Sequence, residues 1–266
     1  MDKKEKKITV ILPVHMYDEE IDAMIKSALA SVELPFVKLI IATTPALENE
    51  EFCKVADKVV TNENSEFAAL VNKAVDAVDT EFFSIMEFDD VYKLGNERRD
   101  GWMRNIAFRS ALEFANARPD VSLFIPMEDI AERKGKEAKF IAFANEAPLA
   151  EGFTEELGVV SMESLEHFFN YTLTGAVFKT EDFKAVGKLK ESIKLTFWLE
   201  YMRRAMQNNQ KLMVLPKNGY IHFINREGSL FDIYSHTMKE GEVNYWYKIA
   251  KTAYKEKADA GYQYTE

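Results

Sequence analysis

The chain has 266 residues, 47% of them hydrophobic, and a formal net charge of −10 at pH 7. This is enough apolar material to bury a sizeable core, in one large α/β domain or two small ones, and it excludes a disordered chain; the negative balance argues against general affinity for nucleic acid or anionic membrane. A lone cysteine, Cys53, excludes an internal disulfide framework and fits a reducing compartment, no apolar run approaches the ~20 residues of a membrane span, and no signal peptide precedes the first strand, so the expectation is a soluble, cytoplasmic protein.

The first seven residues, MDKKEKK, read as a solvated tail. Ile8 to Val14, ITVILPV, is a β-branched run that predicts a buried first strand, which Pro13 stops as the chain leaves the sheet. A helix follows, with Asp18, Glu19 and Glu20 in its first turn and an apolar stripe of Ile21, Met24, Ile25, Ala28, Leu29 and Val32. Val37 to Ala42 reads as the second strand, Glu48 to Asp57 as a short helix that buries Cys53, and Lys58 to Thr61 as the third strand. From Phe67 the residues Phe67, Val71, Ala74, Val75 and Val78 recur at helical spacing, with Asn64 or Ser65 placed to cap the first turn. After Asp79-Thr80 the period changes: Phe82, Phe83, Ile85, Met86 and Phe88 form a nearly continuous apolar run, a strand buried on both faces and closed by Glu87, Asp89 and Asp90. The order β-α-β-α-β-α-β with short connections predicts a mostly parallel sheet covered on both faces, and open α/β sheets bind ligands at the carboxyl ends of such strands. Carboxylates there suit Mg2+ or Mn2+ held against a diphosphate.

After Asp90 the polar run VYKLGNERRDG reads as a loop near the site, in which Arg98 and Arg99 either hold a diphosphate or acidic acceptor or form a solvated charge pair. Trp102 to Ala117 reads as a helix stopped by Pro119, and Val121 to Met127 as a strand. Glu128 to Gly158 is the least patterned stretch and suggests a hairpin or an exposed insertion. Leu173 to Phe178 reads as a strand, followed by a helix that Thr180 caps and Gly187 ends. FWLEYMRRAM is an amphipathic helix with Phe197, Trp198, Tyr201 and Met202 turned inward, and Lys211 to Pro216 and Gly219 to Ile224 read as two more strands. Tyr245, Trp246, Ile249, Ala250, Ala253 and Tyr254 form the stripe of a closing helix, which packs on the domain or pairs with another subunit in a homo-oligomer.

The stretch from Asn64 to Asp90 resembles the family 2 glycosyltransferases, which have the A-type (GT-A) nucleotide-sugar-binding fold. In that family a helix opens near Asn-x-Gly, carries an Asn eight residues on, and leads through Gly-Glu-Tyr into a strand ending Asp-x-Asp-Asp. Asn64, Asn72, Glu81-Phe82 and Glu87-Phe88-Asp89-Asp90 fall at those spacings, with Glu66 and Ala74 at the two helix glycines. Gly175, Phe183, Val186-Gly187, Leu189 and Glu191-Ser192 match the outline of a later strand, helix and turn. The resemblance implies a GT-A-like single α/β domain over residues 1–266, its mostly parallel central sheet flanked by helices, with a Rossmann-like nucleotide-sugar-binding half at 8–127, an acceptor-side half at 128–231 and a C-terminal helical extension at 232–266. It implies a metal-dependent inverting transferase that moves a sugar from a nucleotide-sugar donor, a UDP-sugar first among them, to an unknown acceptor. Asp89 and Asp90 would hold the Mn2+ or Mg2+, and donor contacts would come from Pro13, Val14, His15, Thr43, Asn72, Glu87, Asp89 and Arg226.

Three departures qualify that reading. Thr43-Thr44-Pro45-Ala46 stands where the family has Asp-Asp-Gly-Ser, and hydroxyls hydrogen-bond a base without the acceptor charge, so uridine specificity does not carry over. Arg226 stands where the family has a histidine that reaches the metal or the diphosphate; a guanidinium cannot ligate a metal but pairs well with phosphate. Phe197-Trp198 stands where a Glu-Asp pair supplies the catalytic base, so the role would pass to Glu200 or Glu191. A helix turns about 100° per residue, which aims Glu200 nearly opposite Trp198. The competing expectation is a catalytically inactive glycosyltransferase-like protein kept as a binding or structural subunit.

Overall fold

The structure, a computed structural model, describes residues 6–96, 103–134, 137–149, 156–167, 171–226, 228–237 and 248. Most of the expected N-terminal tail, the pair Arg98-Arg99, Trp102, and the closing stripe from Tyr245 to Tyr254 lie outside the described residues, and the helix expected from Trp102 begins at Ile106. Strand β1 (Ile8–Val14) decides the layering, because its side chains alternate between the two faces of the sheet. Ile8, Val10, Leu12 and Val14 meet Ile21, Met24, Ile25 and Ala28 of helix α1 (Glu19–Ser31) and Ala107, Phe108 and Ala111 of helix α3 (Ile106–Ala117). On the other face Ile11 meets Leu70, Val71, Ala74 and Val75 of α2 (Phe67–Asp76) in the same cluster as Phe183 of α5 (Thr180–Ala185) and Trp198, Tyr201 and Met202 of α6 (Phe197–Gln207).

The first half of the sheet is parallel, as the βαβ pattern predicts: β3 (Lys58–Thr61), β2 (Val37–Thr43), β1 and β4 (Phe82–Ile85) lie side by side in that order. Beyond β4 the sheet is mixed and continues through β8 (Val177–Lys179), β6 (Val121–Lys134), β9 (Lys211–Ile224) and the two-residue β5 (Val91–Tyr92), with β7 (Glu137–Ala144) hairpinned onto β6. A short helix α4 (Met162–His167) and a closing α7 (Leu230–Thr237) complete the described elements. The fold is a mixed α/β, GT-A-like arrangement with a curled central sheet flanked by helices, and β4 lies in its interior.

Local chemistry explains where the boundaries fall. Asp18 caps α1 by accepting the Ile21 N–H at 2.8 Å, and Asn105 caps α3 by accepting the Phe108 N–H at 3.0 Å. Asn64 does not cap α2: it accepts the Glu66 N–H at 3.1 Å in a turn one step earlier, and Glu66 is the N-cap residue. The helix expected over Glu48 to Asp57 is instead two 3-10 turns, Pro45–Leu47 and Glu51–Val55, closed by i+3 bonds such as Cys53 N–H to the Glu50 carbonyl. The two strands expected at the end of the chain are one, β9. Pro216 lacks an N–H, and the break in the ladder is absorbed as a bulge, with Leu215 opposite Pro126 and Asn218 opposite Met127.

Gly175 is placed by its backbone. Its φ is +77°, and a Cβ there would meet the Tyr220 ring at 2.5 Å. Tyr220 is fully buried, and its hydroxyl accepts the Glu87 N–H at 3.2 Å, so the glycine lets an aromatic ring support the acidic turn from below. Gly175→Ala should lower stability by about 1–3 kcal/mol through the positive φ and the displaced ring. A thermal melt should show a drop of several degrees; an unchanged Tm would mean that Tyr220 does not need this contact.

Candidate functional site

The ladder of β4 ends at Ile85, where the chain turns. Met86 N–H still bonds the Ile11 carbonyl at 2.9 Å, but Asp90 N–H folds back onto the Glu87 carbonyl at 3.2 Å. This turn brings Glu87, Asp89 and Asp90 together beside a cleft of about 730 Å3, which Glu87 and Asp89 line. His15, just past β1, Arg226, just past β9, and His222, within β9, line the same cleft. Phe67, Phe197 and Trp198 give it an aromatic wall, with the rings of Phe67 and Phe197 stacked at 5.4 Å. Thr172, Thr174, Lys194, Asp232 and Tyr234 add polar atoms.

Carboxylates this close repel one another, so each needs a cation or a proton. Asp89, 5% exposed, accepts Arg226 Nε at 2.6 Å on Oδ2, and its backbone carbonyl accepts Arg133 Nη2 at 2.8 Å. Asp90 is fully buried; its Oδ1 accepts the Phe223 N–H at 2.8 Å and its Oδ2 lies 2.9 Å from His222 Nδ1. Burial raises the Asp90 carboxyl above its ordinary range, against the pull of His222. Burial, and then the Asp90 charge, push Glu87 up to about 8. Burial works against a charge on His222, but Asp90, Glu87 and Glu128 outweigh it and hold the imidazole well above 6.5, protonated at neutral pH.

Glu128 lies behind this group, fully buried. The Thr172 hydroxyl donates to Oε2 and Asn145 Nδ2 to Oε1, yet burial outweighs both that hydroxyl bond and the His222 charge and pushes Glu128 up to about 8. His15 is the opposite case: burial first, then Arg226, lower it to about 4, so it is neutral. Its ring lies 5.4 Å from that of Phe88, and its buried Nε2 has no hydrogen-bond partner among the described residues.

These contacts decide how a divalent cation fits. Among the described residues, metal-ligating side chains gather in one group, Glu87, Asp90 and His222, whose ligand atoms lie within 4.8 Å of one another. The expected ligand pair is therefore split: Asp90 joins this group, whereas Asp89 faces a guanidinium. At Asp89 the guanidinium of Arg226 stands 2.6 Å from Oδ2, where a cation would compete with it.

Other sequence candidates lie away from the cleft. Glu200 is 1% exposed and paired in two places with Arg204, Oε1 to Nε at 2.7 Å and Oε2 to Nη2 at 2.9 Å; Arg204 also donates to the carbonyls of Val186 and Lys188. Its carboxylate ties α6 to the preceding connection and is turned from the cleft, as the helical spacing predicts. Glu191 is exposed and accepts Asn72 Nδ2 at 3.0 Å. Asn72 itself exchanges bonds of 2.9 and 3.0 Å with the Leu189 backbone, so it joins α2 to that connection and does not line the cleft. The Thr43 hydroxyl is spent on the Val14 carbonyl at 2.8 Å, and Pro13 and Val14 are buried strand residues, none of them lining the cleft. His15, Glu87, Asp89 and Arg226 are brought together as expected from the motif spacings.

Sequence reasoning missed His222, Glu128 and Arg133. The first sits in the apolar run GYIHFI, where a titratable residue inside a buried strand is itself a sign that a charged partner waits. Glu128 and Arg133 carried no comparable signal, because the stretch around them lacks a pattern.

No protein-family profile and no curated protein matches the chain. Solved structures do match in fold. The first 349 residues of Staphylococcus aureus TarS in complex with UDP-GlcNAc superpose with a TM-score of 0.61 at 14% identity, over 92% of this chain and 65% of that one. The same TarS segment without that ligand gives 0.58 at 14% identity, over 94% and 73%, and TarS itself 0.56 over 93% and 43%. The chain thus spans just under two thirds of the UDP-GlcNAc-bound TarS chain.

Glu200→Gln should behave as a core mutation. Leaving Arg204 buried without its carboxylate costs about 3–5 kcal/mol, so the melt should fall by roughly 10 °C while nucleotide affinity of the folded protein is kept. A stable variant with impaired chemistry would return Glu200 to the site.

Glu128 makes stability depend on pH. Its folded value of about 8 lies above the ordinary 4.5, so its contribution is complete below pH 4.5 and is lost as pH rises through about 8. Glu128→Gln, which keeps a neutral side chain, should flatten that part of the Tm-against-pH curve between pH 5 and 9. Parallel curves for the two proteins would show that Glu128 ionises normally.

Proposed function

We propose that the chain transfers a sugar from a nucleoside-diphosphate sugar, a UDP-sugar first among the candidates, with inversion at the anomeric carbon. The observation that carries this reading is the convergence of His15, Glu87, Asp89 and Arg226 on one cleft at the carboxyl end of a central strand in a GT-A-like fold. Neutral His15, with an unpartnered buried nitrogen against Phe88, suits the edge of a base. Arg226 suits the diphosphate. The wall of Phe67, Phe197 and Trp198 offers an apolar face to a sugar ring.

In direct displacement the acceptor oxygen bonds to the anomeric carbon, the diphosphate leaves with the electron pair of the broken bond, and a carboxylate takes the acceptor proton. Glu200 is buried against Arg204 and Glu191 does not line the cleft, so that carboxylate is assigned to Glu87 or to Asp232 in the first turn of α7, whose Oδ2 accepts the Gly228 N–H at 2.8 Å and whose Oδ1 lies 3.0 Å from His236 Nδ1. The expected Mn2+ or Mg2+ would compete with Arg226 at Asp89, and no step is assigned to it.

A different observation favours a second reading. Aromatic residues face the cleft where a base would stand, which fits a protein that binds a nucleotide sugar without transferring it. Incubation with a panel of nucleotide sugars, followed by assay of released nucleoside diphosphate, separates the two. Expected is slow turnover that Glu87→Gln or Asp232→Asn cuts by about 100 to 10,000-fold with donor affinity nearly unchanged. Binding without release for every sugar would favour the binding module.

A further inference from the structure

We propose that this chain grips the diphosphate of its nucleotide with the guanidinium of Arg226 in place of a divalent cation. The inference rests on the nucleotide-binding reading above and adds how the phosphates are held.

A carboxylate at a cleft recruits a metal ion when its charge is unmatched and its oxygens are open to the ligand. At Asp89 the charge is matched, and Oδ2 is already engaged. Arg226 Nε sits 2.6 Å from its Oδ2, and a second guanidinium, that of Arg133, is bonded to its backbone carbonyl at 2.8 Å and stacked 3.9 Å over the Phe223 ring. A divalent ion entering beside Asp89 would face two fixed positive groups in a site that screens charge poorly. Asp90 has both oxygens engaged, one by the Phe223 N–H and one by His222, and it is fully buried. An ion in the group of Glu87, Asp90 and His222 would displace the His222 contact that holds Asp90.

Arg226 has the properties a divalent ion would supply. Its side chain is 16% exposed and lines the cleft, so its charge acts in a largely dry setting. Asp89 and the Phe88 ring, 5.1 Å from the guanidinium carbon, hold the group in one place. Asp89 uses Nε, and among the described residues the two terminal amino groups have no protein acceptor; they form the fork that binds two phosphate oxygens at once. The carboxylate thus acts as an anchor for the arginine, and the arginine as the cation.

The test is calorimetric titration of the full chain with UDP, GDP and ADP, each in EDTA and in MnCl2. Expected is one nucleoside diphosphate bound equally, within about twofold, in both solutions. Arg226→Gln should weaken that binding roughly 10 to 100-fold, the range for loss of charged hydrogen bonds. Arg226→His should bind only in MnCl2, because it frees Asp89 and adds an imidazole that ligates manganese. Wild-type binding that requires Mn2+ overturns the inference and leaves the proposed function intact. Absence of binding for every nucleotide in both solutions overturns the proposed function itself. Should the variants fail to fold, the wild-type comparison decides alone.

Discussion

The charge carried by one turn constrains much of the molecule. Glu87, Asp89 and Asp90 end a strand buried in the middle of the sheet, and a buried carboxylate without a partner costs several kcal/mol. The partners come from far along the chain: Arg133 from β6, and His222 and Arg226 from β9 and its exit. That requirement gives a reason for the length of β6 and β9, whose parallel pairing runs past the end of β4 as far as Glu132 and Ile224. The two-residue β5, paired with β9 at Val91 and Tyr92, clamps the turn to the strand that neutralises it. Tyr220 supports the turn from beneath, where Gly175 makes room.

Position 66 shows how a local substitution is absorbed. The resembled family has a glycine there, whereas Glu66 reaches across to Lys194 at 2.9 Å and receives the Tyr234 hydroxyl. Burial raises its carboxyl, but the two bonds together outweigh burial and keep it below its ordinary range, hence ionised at neutral pH. The side chain ties the start of α2 to α7 and to the chain before α6, all at the rim of the cleft. Glu200 and Arg204 do the corresponding task below α6. Acids that might have served chemistry are used to brace the walls.

Legibility followed locality. Strands β1 and β3 lie where the residue patterns place them, because β-branched runs bounded by polar residues are read within a few positions. The acidic end of β4 was visible for the same reason. What could not be read was pairing: Pro216 and Gly219 look like a turn between two strands, and only the presence of β6 alongside keeps the chain straight through a bulge. The partners of Asp89 and Asp90 are more than 40 residues away in sequence, so a local pattern can mark His222 or Arg226 as unusual without saying which acid each one meets. Glu200 is the instructive miss. Arg204 stands four residues on, the spacing of a helical ion pair, and that signal was present in the sequence and pointed to structure.

A fixed guanidinium and an exchangeable ion differ in what they do for a reaction. A metal ion can leave with the nucleotide it holds, whereas Arg226 stays anchored to Asp89. On the proposed reading it would grip the diphosphate of the donor and, more strongly, that of the spent nucleotide, which carries the added negative charge of the broken bond. A contact that strengthens as that charge develops lowers the barrier, whereas one that is equal before and after only holds the substrate. On the same reading the rate depends also on groups beside the sugar: the aromatic wall, the Thr172 and Thr174 hydroxyls, and a cleft carboxylate. On the proposed reading, a nucleotide held by the arginine is a substrate where those groups position an acceptor, and the same cleft only binds it where they do not. On that reading, what separates enzyme from binding module in this chain lies on the acceptor side of the cleft, away from the acids at the end of β4.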